Sequence, residues 1–313
     1  MILVTGATGF LGRHLMPKLV ARYGADAVVG VCSRDYDLMD PAQVRRMFQE
    51  KKPEVVVHLA AYSGGIGVNV ARPADFYYRN TLLTALVFQE AAVQGVKKLI
   101  YTMGGCSYPA NAASPIDESQ MWQGFPQPES AGYSCAKMMG IVAGMAYRKQ
   151  YGLDSVILVP GNMYGEYDNY RNAESHVIAA MIRRFHEARK NGTREVVMWG
   201  SGKPTRDFVY ASDVAGVVAE FVGRQDGAGP INISSGTSTS IRQLADTVKE
   251  EAGFAGSLTW DTAKPDGQMV KIFDVKRLHG LGLSCPTPLR DGLRRTIGWF
   301  AANYDNQGDG IRL

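Results

Sequence analysis

The sequence has few cysteines, and no two of them lie close together. Cys32, Cys106, Cys135 and Cys285 are far apart in a chain of 313 residues, without a Cys-x-x-Cys motif. Structural zinc sites and small disulfide-stabilised folds both depend on closely spaced cysteines. The sequence therefore predicts neither a disulfide framework nor a bound metal.

Long runs of one charge and long apolar runs are also missing. The 34 Lys and Arg residues are balanced by 30 Asp and Glu residues, for a net charge of +4 spread along the chain. Because nucleic-acid-binding proteins concentrate basic residues, we expect no nucleic-acid partner and favour an anionic small molecule. No apolar run is long enough to span a membrane, and the opening "MILVTGATGF" is typical of a strand and turn rather than a signal peptide. We therefore expect a cytoplasmic protein without a membrane partner.

What is present is an alternation of short apolar runs with amphipathic stretches. The apolar runs, typical of strands, are "MILVTG", "AVVGVCS", "VVVHLAA", "KLIYTM" and "SVILVP", and helical stretches separate them at 11–23, 41–51, 75–94 and 133–151. Strand and helix in regular alternation predict an α/β fold with a doubly wound parallel sheet of the Rossmann type.

The rhythm changes after about residue 165, where a basic helical stretch and a strand "EVVMWG" are followed by loops with Gly and Pro. We therefore predict an NADP-binding Rossmann domain over 1–165 and a smaller C-terminal α/β substrate lobe over 166–313. The segments "DFVYASDVAGVVAEFV" and "PINISSG" are typical of a helix and a strand, and we expect them to return to the first domain near 207–235.

The segment "TGATGFLG" after the first strand predicts a dinucleotide site. Gly6, Gly9 and Gly12 follow the spacing G-x-x-G-x-x-G at the start of a helix. Glycines allow the tight turn and let backbone N–H groups at the helix N-terminus approach a pyrophosphate. Small residues at the end of the third strand leave room for the cofactor. The predicted cofactor contacts are Gly6, Thr8, Gly9, Phe10, Leu11, Gly12, Ser33, Arg34, Asp37, Leu38, Ala60 and Ala61.

The second strand distinguishes the two nicotinamide cofactors. NAD enzymes usually end this strand with an acidic residue that accepts a hydrogen bond from the ribose 2′-hydroxyl, but the sequence here is "VCSRD". Ser33 and Arg34 favour a 2′-phosphate, and hence NADP(H). The alternative is that Arg34 is only solvated and that Asp35 contacts the ribose.

The motif "YSCAK" supplies a candidate catalytic pair. Tyr133 and Lys137 are four residues apart at the start of an apolar helix, so both lie on one face. Such a lysine can lower the pKa of the phenol, so that the tyrosine exchanges a proton with a carbonyl oxygen while nicotinamide exchanges hydride with its carbon. With the glycine turn, the pair resembles an extended short-chain dehydrogenase/reductase, and we expect Lys137 also to contact the cofactor. The remote alternative is a non-catalytic dinucleotide sensor.

More specific segments resemble the GDP-L-fucose synthase family. They are "SGGIGVNVARPADFYYRN", "CSYP", "ESQMWQGFPQPESAGYSCAK", "PGNMYGEYDNY", "ESHVIAAMIRRFHEA", "VVMWGSGKPTRDFVY" and "AKPDG". The resemblance runs from about residue 3 to about residue 300. It implies an enzyme that takes GDP-4-keto-6-deoxy-mannose, inverts C3 and C5, and then reduces the C4 ketone with NADPH.

The resemblance also implies roles for individual residues. A C4 ketone acidifies the hydrogens on both neighbouring carbons, so epimerisation needs one group that removes a proton and another that returns one from the opposite face. The family uses a Cys and a His, which here match Cys106 and His176. Without the resemblance, Cys106 is typical of a small core residue and His176 of a helix cap. The matched substrate contacts are Asn162, also beside the nicotinamide, and Arg184, Trp199, Arg206 and Lys264 around the nucleotide diphosphate.

Two glycines depart from the family pattern. The residues before the family's cysteine are serines, and the first of them hydrogen-bonds near the C4 oxygen, whereas here the positions hold Gly104 and Gly105. Losing such a donor costs about 3 kcal/mol of transition-state stabilisation unless another group replaces it. The hydroxyls near enough in sequence to replace it are those of Ser63, Thr102 and Ser107.

Three interpretations of this departure stay open. In the first, the enzyme keeps both activities with a substitute hydroxyl, and in the second, the space left by two side chains admits a bulkier sugar such as a heptose. In the third, hydride transfer is weak and the protein is mainly an epimerase. The base is assigned as guanine by resemblance alone, so UDP- and dTDP-sugars stay open as alternatives.

The helices at 75–94 and 133–151 carry apolar, Gly and Met residues on more than one face, as in "KMMGIVAGMAY". Related enzymes pair these helices across a two-fold axis, so we expect a homodimer. The alternative is that both helices are simply buried against the sheet.

Overall fold

The computed structural model describes residues 1–171, 174–224, 229–264 and 266–305, and strands and helices alternate along most of it. The strands are β1 (Ile2–Thr5), β2 (Val28–Val31), β3 (Val55–His58), β4 (Lys98–Thr102), β5 (Asp154–Pro160), β6 (Asn162–Tyr164), β7 (Glu195–Trp199), β8 (Thr205–Arg206), β9 (Phe208–Tyr210), β10 (Pro230–Ile233), β11 (Thr239–Ser240), β12 (Ser257–Asp261) and β13 (Val270–Lys271). The helices are α1 (Phe10–Tyr23), α2 (Pro41–Lys51), α3 (Ile66–Ala71), α4 (Pro73–Val93), α5 (Ala131–Tyr151), α6 (Val177–Lys190), α7 (Ala211–Gly223), α8 (Ile241–Glu251), α9 (Lys276–Gly280) and α10 (Leu289–Tyr304). The strands and helices predicted for the first half are all present, with ends shifted by a few residues.

A parallel sheet forms the centre of the molecule. Its six strands have the order β10-β5-β4-β3-β1-β2, and every neighbouring pair is parallel. Consecutive residues of one strand enter the apolar cores on both faces, Leu3 and Val56 on one face and Val4 and Val57 on the other. Such continuous apolar strands suit a parallel sheet, because helices cover both of its faces. The predicted doubly wound parallel sheet is confirmed.

Strand β10 joins this sheet although it follows part of the C-terminal lobe in sequence. It pairs with β5, and α7 packs against α1 on the same sheet. The segment predicted as a helix from Asp207 onward is helical only from Ala211, because Phe208–Tyr210 forms β9 and pairs with β6. The helix prediction is wrong over Phe208–Tyr210, where aromatic and β-branched side chains are buried in a short strand.

A further apolar core lies in the C-terminal lobe. Helices α6, α8 and α10 pack around residues such as Phe185, Leu244 and Phe300, next to the parallel pair β7 and β12. A small sheet of order β11-β8-β13 completes this part of the chain. The domain boundary at residue 165 stays a prediction, and the predicted end of the lobe at 306–313 lies outside the described residues.

Helices α4 and α5 are the longest of the described chain, with 21 residues each, and they pack side by side. Helix α5 approaches β4 closely at Gly140, where a Cβ atom would lie 2.2 Å from the ring of Tyr101. A larger residue would push the helix away from the sheet, so Gly140 fixes the depth of α5. Within the described ranges, neither these helices nor any other is long and apolar enough to cross a membrane. The cytoplasmic location stays a prediction.

Candidate active site

A large cavity opens at the carboxyl ends of the sheet strands, with a volume of about 860 Å³. Parallel α/β sheets bind ligands at this edge, because the loops that follow the strands surround a crevice there. The sequence-predicted residues on its wall are Gly6, Thr8, Gly9, Phe10, Leu11, Gly12, Ser33, Asp37, Leu38, Ala60, Ala61, Ser63, Cys106, Tyr133, Lys137, Asn162, His176 and Arg206. The structure therefore brings together most of the residues predicted for the cofactor and the sugar.

The turn between β1 and α1 has the shape that a close approach of phosphates requires. Gly6 has a φ of +71°, a conformation that favours glycine. A Cβ atom at Gly12 would lie 2.3 Å from the carbonyl oxygen of Gly6, so a side chain there would force the turn open. Gly9 is the N-cap of α1 and lies on the cavity wall. Since a helix N-terminus carries a positive partial charge, this turn fits the pyrophosphate of a dinucleotide.

The residues after β2 bear on the choice between NAD and NADP. The Asp35 carboxylate accepts a hydrogen bond from the backbone N–H of Cys32 at 2.8 Å, and Asp35 lies outside the cavity wall, whereas Ser33 lies on it. This geometry disfavours Asp35 as the ribose ligand. Arg34 is exposed and also lies outside the wall. Its contact with a 2′-phosphate stays a prediction, which requires the side chain to turn toward the cavity.

Helix α5 places Tyr133 and Lys137 on the cavity wall, one turn apart. Lys137 is 2% exposed, and its ammonium nitrogen lies 4.1 Å from the centroid of the Tyr101 ring. This cation–π contact offsets part of the desolvation. Burial lowers the pKa of Lys137 to about 7, although Cys106 acts in the opposite direction, and burial raises the pKa of Tyr133. The lysine therefore exchanges its proton near neutral pH, while the phenol keeps a proton that it can donate.

Cys106 lies beside the phenol of Tyr133, in the short 3₁₀ turn Gly105–Ser107. A Cβ atom at Gly104 would lie 3.3 Å from Cys106 Sγ and 3.5 Å from the Tyr133 hydroxyl oxygen. Both groups therefore border the space that a side chain at position 104 would occupy. Cys106 is half-buried on the cavity wall, a position that leaves its thiol within reach of a ligand.

The two glycines before Cys106 leave unequal spaces. A Cβ atom at Gly105 would lie 2.4 Å from Cζ of Phe273, which is 2% exposed. An aromatic ring thus fills the space behind Gly105, so the interpretation that the two glycines admit a larger sugar finds no support at that position. At Gly104 the nearest atoms are 3.3 Å away, and the residue lies on the cavity wall. A side chain at position 104 would therefore face the cavity and contact Cys106 and Tyr133 closely.

The structure separates the three candidate hydroxyl groups. Ser107 is fully buried, does not line the cavity, and donates to the carbonyl oxygen of Ser134 at 3.3 Å. Its contact with a substrate stays a prediction. Thr102 lines the cavity and donates to the carbonyl oxygen of His58 at 3.3 Å. Ser63 is exposed on the cavity wall. Thr102 and Ser63 are therefore the two of these three residues that line the cavity.

The second half of the chain contributes His176, Arg206 and Asn162 to the cavity wall. His176 is the N-cap of α6 and is exposed, and its side chain makes no capping hydrogen bond to the described backbone. Arg206 donates to the carbonyl oxygen of Gln268 at 2.6 Å, and Asn162 donates to that of Asp207 at 2.9 Å. Backbone contacts thus orient Arg206 and Asn162, while the imidazole of His176 is left to meet a ligand.

Three predicted substrate contacts lie away from the cavity wall. Arg184 donates to the carbonyl oxygen of Val197 at 2.9 Å. Trp199 is 68% exposed, and the ammonium nitrogen of Lys264 lies 5.6 Å from its ring centroid. A nucleotide would contact these residues only if it extended beyond the cavity. Their roles in binding stay predictions.

The sequence interpretation missed several residues of the cavity wall, among them Asp168, Gln268 and Lys271. Lys271 is 9% exposed, and burial lowers the pKa of its ammonium group. The sequence signal for it is the segment "VKIFDV", in which Lys271 shares its side of an extended chain with the apolar Phe273 and Val275. A lysine on an apolar side of a strand indicates a cation that faces the interior.

The glycine turn, the Tyr-x-x-x-Lys pair and the parallel sheet define an enzyme of the extended short-chain dehydrogenase/reductase superfamily. Among the described residues, no group of three His, Cys, Asp or Glu side chains could hold a metal ion. The chain belongs to the NAD dependent epimerase/dehydratase family, whose model matches residues 2–234, and within it to the GDP-L-fucose synthase family. The resemblance seen in the sequence is thereby confirmed.

Similarity to known proteins covers nearly the whole chain. GDP-L-fucose synthase 1 of Arabidopsis thaliana is 40% identical over 306 residues, which are 98% of this chain and 94% of that protein. A solved structure of a GDP-L-fucose synthetase from Naegleria fowleri bound to NADP has 29% identity and a TM-score of 0.90, with 100% of this chain and 94% of that chain covered. A GDP-6-OMe-4-keto-L-xylo-heptose reductase from C. jejuni has 29% identity and a TM-score of 0.88, with 98% of each chain covered.

The buried ammonium group of Lys137 predicts a pH-dependent stability of the cofactor-free protein. Its pKa is about 7 in the folded protein and about 10.4 in an unfolded chain. Between these values the unfolded state holds a proton that the folded state lacks, so the free energy of unfolding rises with pH, by at most about 1.4 kcal/mol per pH unit. Lys137→Met removes this contribution. The variant is expected to gain most stability over the parent at about pH 7 and progressively less toward about pH 9.

Urea unfolding of both proteins across this pH window measures the difference. Lys149 is exposed on the same helix, so Lys149→Met is the matched control and is expected to leave the pH dependence unchanged. A stability difference between the parent and Lys137→Met that stays constant with pH would show that the buried ammonium keeps its ordinary proton affinity.

Proposed function

We propose that the protein is an NADP-dependent epimerase/reductase that inverts C3 and C5 of a GDP-4-keto-6-deoxy-hexose and then transfers hydride to C4. The observation that carries the proposal is that Cys106 Sγ and the Tyr133 hydroxyl both lie within 3.5 Å of the point where a Cβ of Gly104 would stand. Groups able to exchange protons with carbon and with a carbonyl oxygen thus border one space. Relatives named as a GDP-L-fucose synthase and a GDP-heptose reductase support a GDP-sugar as the substrate.

The epimerase half uses Cys106 and His176 as the two proton-exchanging groups. The C4 ketone makes the hydrogens at C3 and C5 acidic, so each centre inverts when one group removes a proton and another returns one on the opposite face. Cys106 follows β4 of the main sheet, and His176 begins α6 of the C-terminal lobe. Because they come from separate elements on the same cavity wall, they suit the two faces of a sugar ring bound between them.

The reductase half uses Tyr133 and Lys137. The cofactor is NADP(H), whose pyrophosphate would lie on the turn Gly6–Gly12 and whose adenosine end would lie near Ser33. When bound, NADP(H) supplies the hydride that reduces C4. The Tyr133 hydroxyl gives its proton to the C4 oxygen, and the ammonium group of Lys137 stabilises the phenolate that this leaves.

We favour an enzyme that keeps both activities, with Thr102 or Ser63 in place of the missing serine, since both hydroxyls are on the cavity wall. A second candidate is an epimerase/reductase for a bulkier 4-keto sugar such as a heptose. The similarity to a GDP-heptose reductase favours it. A third is a nucleotide-sugar epimerase with little net reduction, because Gly104 offers no hydroxyl beside Tyr133. In each of these candidates, the nucleotide diphosphate would contact Arg206, which lies on the cavity wall.

Hydrogen exchange at the sugar carbons tests the epimerase half. With GDP-4-keto-6-deoxy-mannose and NADPH in deuterated water, the protein is expected to place deuterium at C3 and C5 and to consume NADPH. Cys106→Ser and His176→Asn are each expected to slow the exchange about a hundredfold or more, the usual contribution of a positioned acid or base. NMR measures the deuterium, and absorbance measures NADPH.

Matched controls are Cys135→Ser and His279→Asn, because Cys135 lies outside the cavity wall and His279 is exposed in α9. Parental exchange rates in both Cys106→Ser and His176→Asn would rule out the pair.

Gly104→Ser separates the candidate functions, since it restores the missing hydroxyl where the nearest atoms are 3.3 Å from Cβ. If Gly104→Ser consumes NADPH faster relative to hydrogen exchange than the parent does, the missing hydroxyl limits the reduction step. If the parent shows neither deuteration nor NADPH consumption, its substrate is another sugar.

The predicted contact between Arg34 and the cofactor's 2′-phosphate implies a preference for NADPH over NADH. Arg34→Ala is expected to raise the Kd for NADPH about 10- to 100-fold and to leave that for NADH nearly unchanged, because a hydrogen bond to a charged group contributes about 1.5–3 kcal/mol. Fluorescence titration measures both constants. Arg45→Ala on α2, where the arginine pairs with Glu90, is the matched control. Equal affinity for the two cofactors in the parent, unchanged by Arg34→Ala, would contradict the NADP contact.

We also propose a homodimer through α4 and α5. Large apolar side chains on these helices are 41–69% exposed, namely Tyr77, Tyr78, Val93, Met139, Val142, Met145 and Tyr151. So large an apolar surface favours burial against a second copy. Met145→Asp is expected to yield a monomer in sedimentation velocity, because it buries an unpaired charge in the contact. Phe125→Asp, at a residue 64% exposed in a loop, is expected to leave the dimer intact. A monomeric parent would refute the proposal.

A further inference from the structure

The imidazole of His176 depends on the backbone around it for its position. His176 is exposed at the start of α6, and its side chain makes no capping hydrogen bond to the described backbone. A group that exchanges protons with a substrate must still be held in place, because a displacement of about 1 Å can cost a factor of about 100 in rate. The contacts of the chain directly before His176 therefore bear on the proposed chemistry.

Directly before His176, the chain crosses the loop that follows β3. The backbone N–H of Gly65 donates to the carbonyl oxygen of Glu174 at 2.8 Å. A Cβ atom at Gly65 would lie 2.7 Å from the carbonyl oxygen of Ser175 and 3.1 Å from that of Glu174. Gly65 has a φ of −62°, which any residue adopts, so the close approach of the two backbones is what requires glycine. We call this contact of Gly65 with Glu174 and Ser175 the backbone crossing.

Two buried asparagines fix the loop on the sheet side of the backbone crossing. The Asn69 amide donates to the carbonyl oxygens of Gly64 at 2.9 Å and Gly65 at 3.0 Å. The Asn80 amide on α4 accepts from the N–H of Tyr62 at 3.0 Å and donates to its carbonyl oxygen at 2.9 Å. Buried polar groups whose hydrogen bonds are made stiffen the backbone that they bind. The crossing thus starts from a loop that is held by both α3 and α4.

On the other side of the backbone crossing, residues that follow β6 fix Glu174. The Asn169 amide donates to the Glu174 carboxylate at 3.1 Å, and the Arg171 guanidinium pairs with it at 3.5 Å. The backbone N–H groups of Glu174 and Ser175 both donate to the carbonyl oxygen of Arg171. The crossing therefore joins two segments that are each tied down, so a shift on the sheet side is passed on to the start of α6.

We propose that Gly65 and Asn69 are positioning residues of the epimerase centre, which hold His176 at the sugar through the backbone crossing. Both residues lie on the cavity wall, as do Ser175, His176 and Cys106. Cys106 directly follows β4 of the main sheet, whereas His176 begins a helix outside it. The separation of the two proton-exchanging groups then depends on how closely the two backbones approach at Gly65. This inference rests on the proposed role of His176 in epimerisation.

Gly65→Ala tests the backbone crossing through hydrogen exchange at the sugar carbons. The added methyl forces the two backbones apart, so exchange from deuterated water into GDP-4-keto-6-deoxy-mannose is expected to slow about 10- to 100-fold. The Kd values for NADPH and GDP, measured by fluorescence titration and calorimetry, are expected to stay parental, because the methyl points at the backbone of Ser175. Gly216→Ala on α7 is the matched control, since its methyl would meet no atom within 4 Å.

The double variant with Gly65→Ala and His176→Asn separates positioning from general damage. If Gly65 acts through His176, adding Gly65→Ala to His176→Asn is expected to slow the exchange by less than about twofold, because the imidazole is already gone. Thermal unfolding checks that each variant is folded. Asn69→Leu removes both amide donors at similar size, and it replaces Gly65→Ala in both backgrounds if the latter is not folded.

Amide hydrogen exchange of the protein tests the backbone crossing without substrate or cofactor. The N–H of Gly65 is expected to be protected in the parent, because Glu174 accepts its hydrogen bond. In Asn69→Leu this N–H is expected to exchange about tenfold faster or more, since the loop loses the bonds that hold it. Mass spectrometry of peptides that cover the loop measures the rate, and peptides of α7 serve as the internal reference.

Two results would overturn the inference. One is a Gly65 N–H without protection in the parent, which would mean that the two backbones do not meet. The other is parental sugar exchange in Gly65→Ala, or a slowing of equal size with and without His176, which would show that Gly65 does not act through the imidazole. A protected Gly65 N–H with parental sugar exchange in His176→Asn would instead reject the proposed role of His176, so the two failures are distinguishable.

Discussion

The close approach of helix α5 to strand β4 sets the geometry of the whole site. Glycine at position 140 leaves no Cβ atom between the helix and the ring of Tyr101, where one would lie 2.2 Å from the ring. At this depth the ammonium group of Lys137 lies 4.1 Å from the ring centroid, and the side chain is almost entirely shielded from solvent. A shallower helix would hydrate the lysine and return its pKa toward that of a surface lysine. It would also move the phenol of Tyr133 away from Cys106.

The two glycines before Cys106 have different physical reasons. Gly105 is required by packing, since the ring of Phe273 occupies the volume of its missing side chain. A serine at position 105 would therefore have to displace the ring of Phe273. Gly104 meets side-chain atoms no closer than 3.3 Å, which packing tolerates with small adjustments. Packing therefore does not require glycine at position 104, and the missing hydroxyl affects the reaction rather than the fold.

Much of the fold could be predicted because its signals are local. The apolar runs, the glycine spacing and the Tyr-x-x-x-Lys motif each lie within one element or turn. The structure places the glycine turn and the Tyr–Lys pair on one cavity. Lys271 was missed because it joins the cavity wall through the pairing of β13 with β8, a contact between segments far apart in sequence. The choice among Ser63, Thr102 and Ser107 could not be made from sequence, because the orientation of a side chain in a tight turn depends on contacts such as the hydrogen bond from Ser107 to Ser134. No sequence pattern encodes either contact.

The two proposed reactions make unequal demands on position 104. Removing a proton from carbon needs a base, an acid on the other face and a cation near the developing charge, and none of these comes from residue 104. Hydride transfer concentrates negative charge on the C4 oxygen, where Tyr133 remains but the second donor is missing. Thr102 would have to exchange the carbonyl oxygen of His58, which it now meets at 3.3 Å, for the sugar oxygen. A hydrogen bond of that length is weak and easily broken. The missing serine therefore weakens the reduction step alone, and the hydroxyl of Thr102 can restore the lost donor.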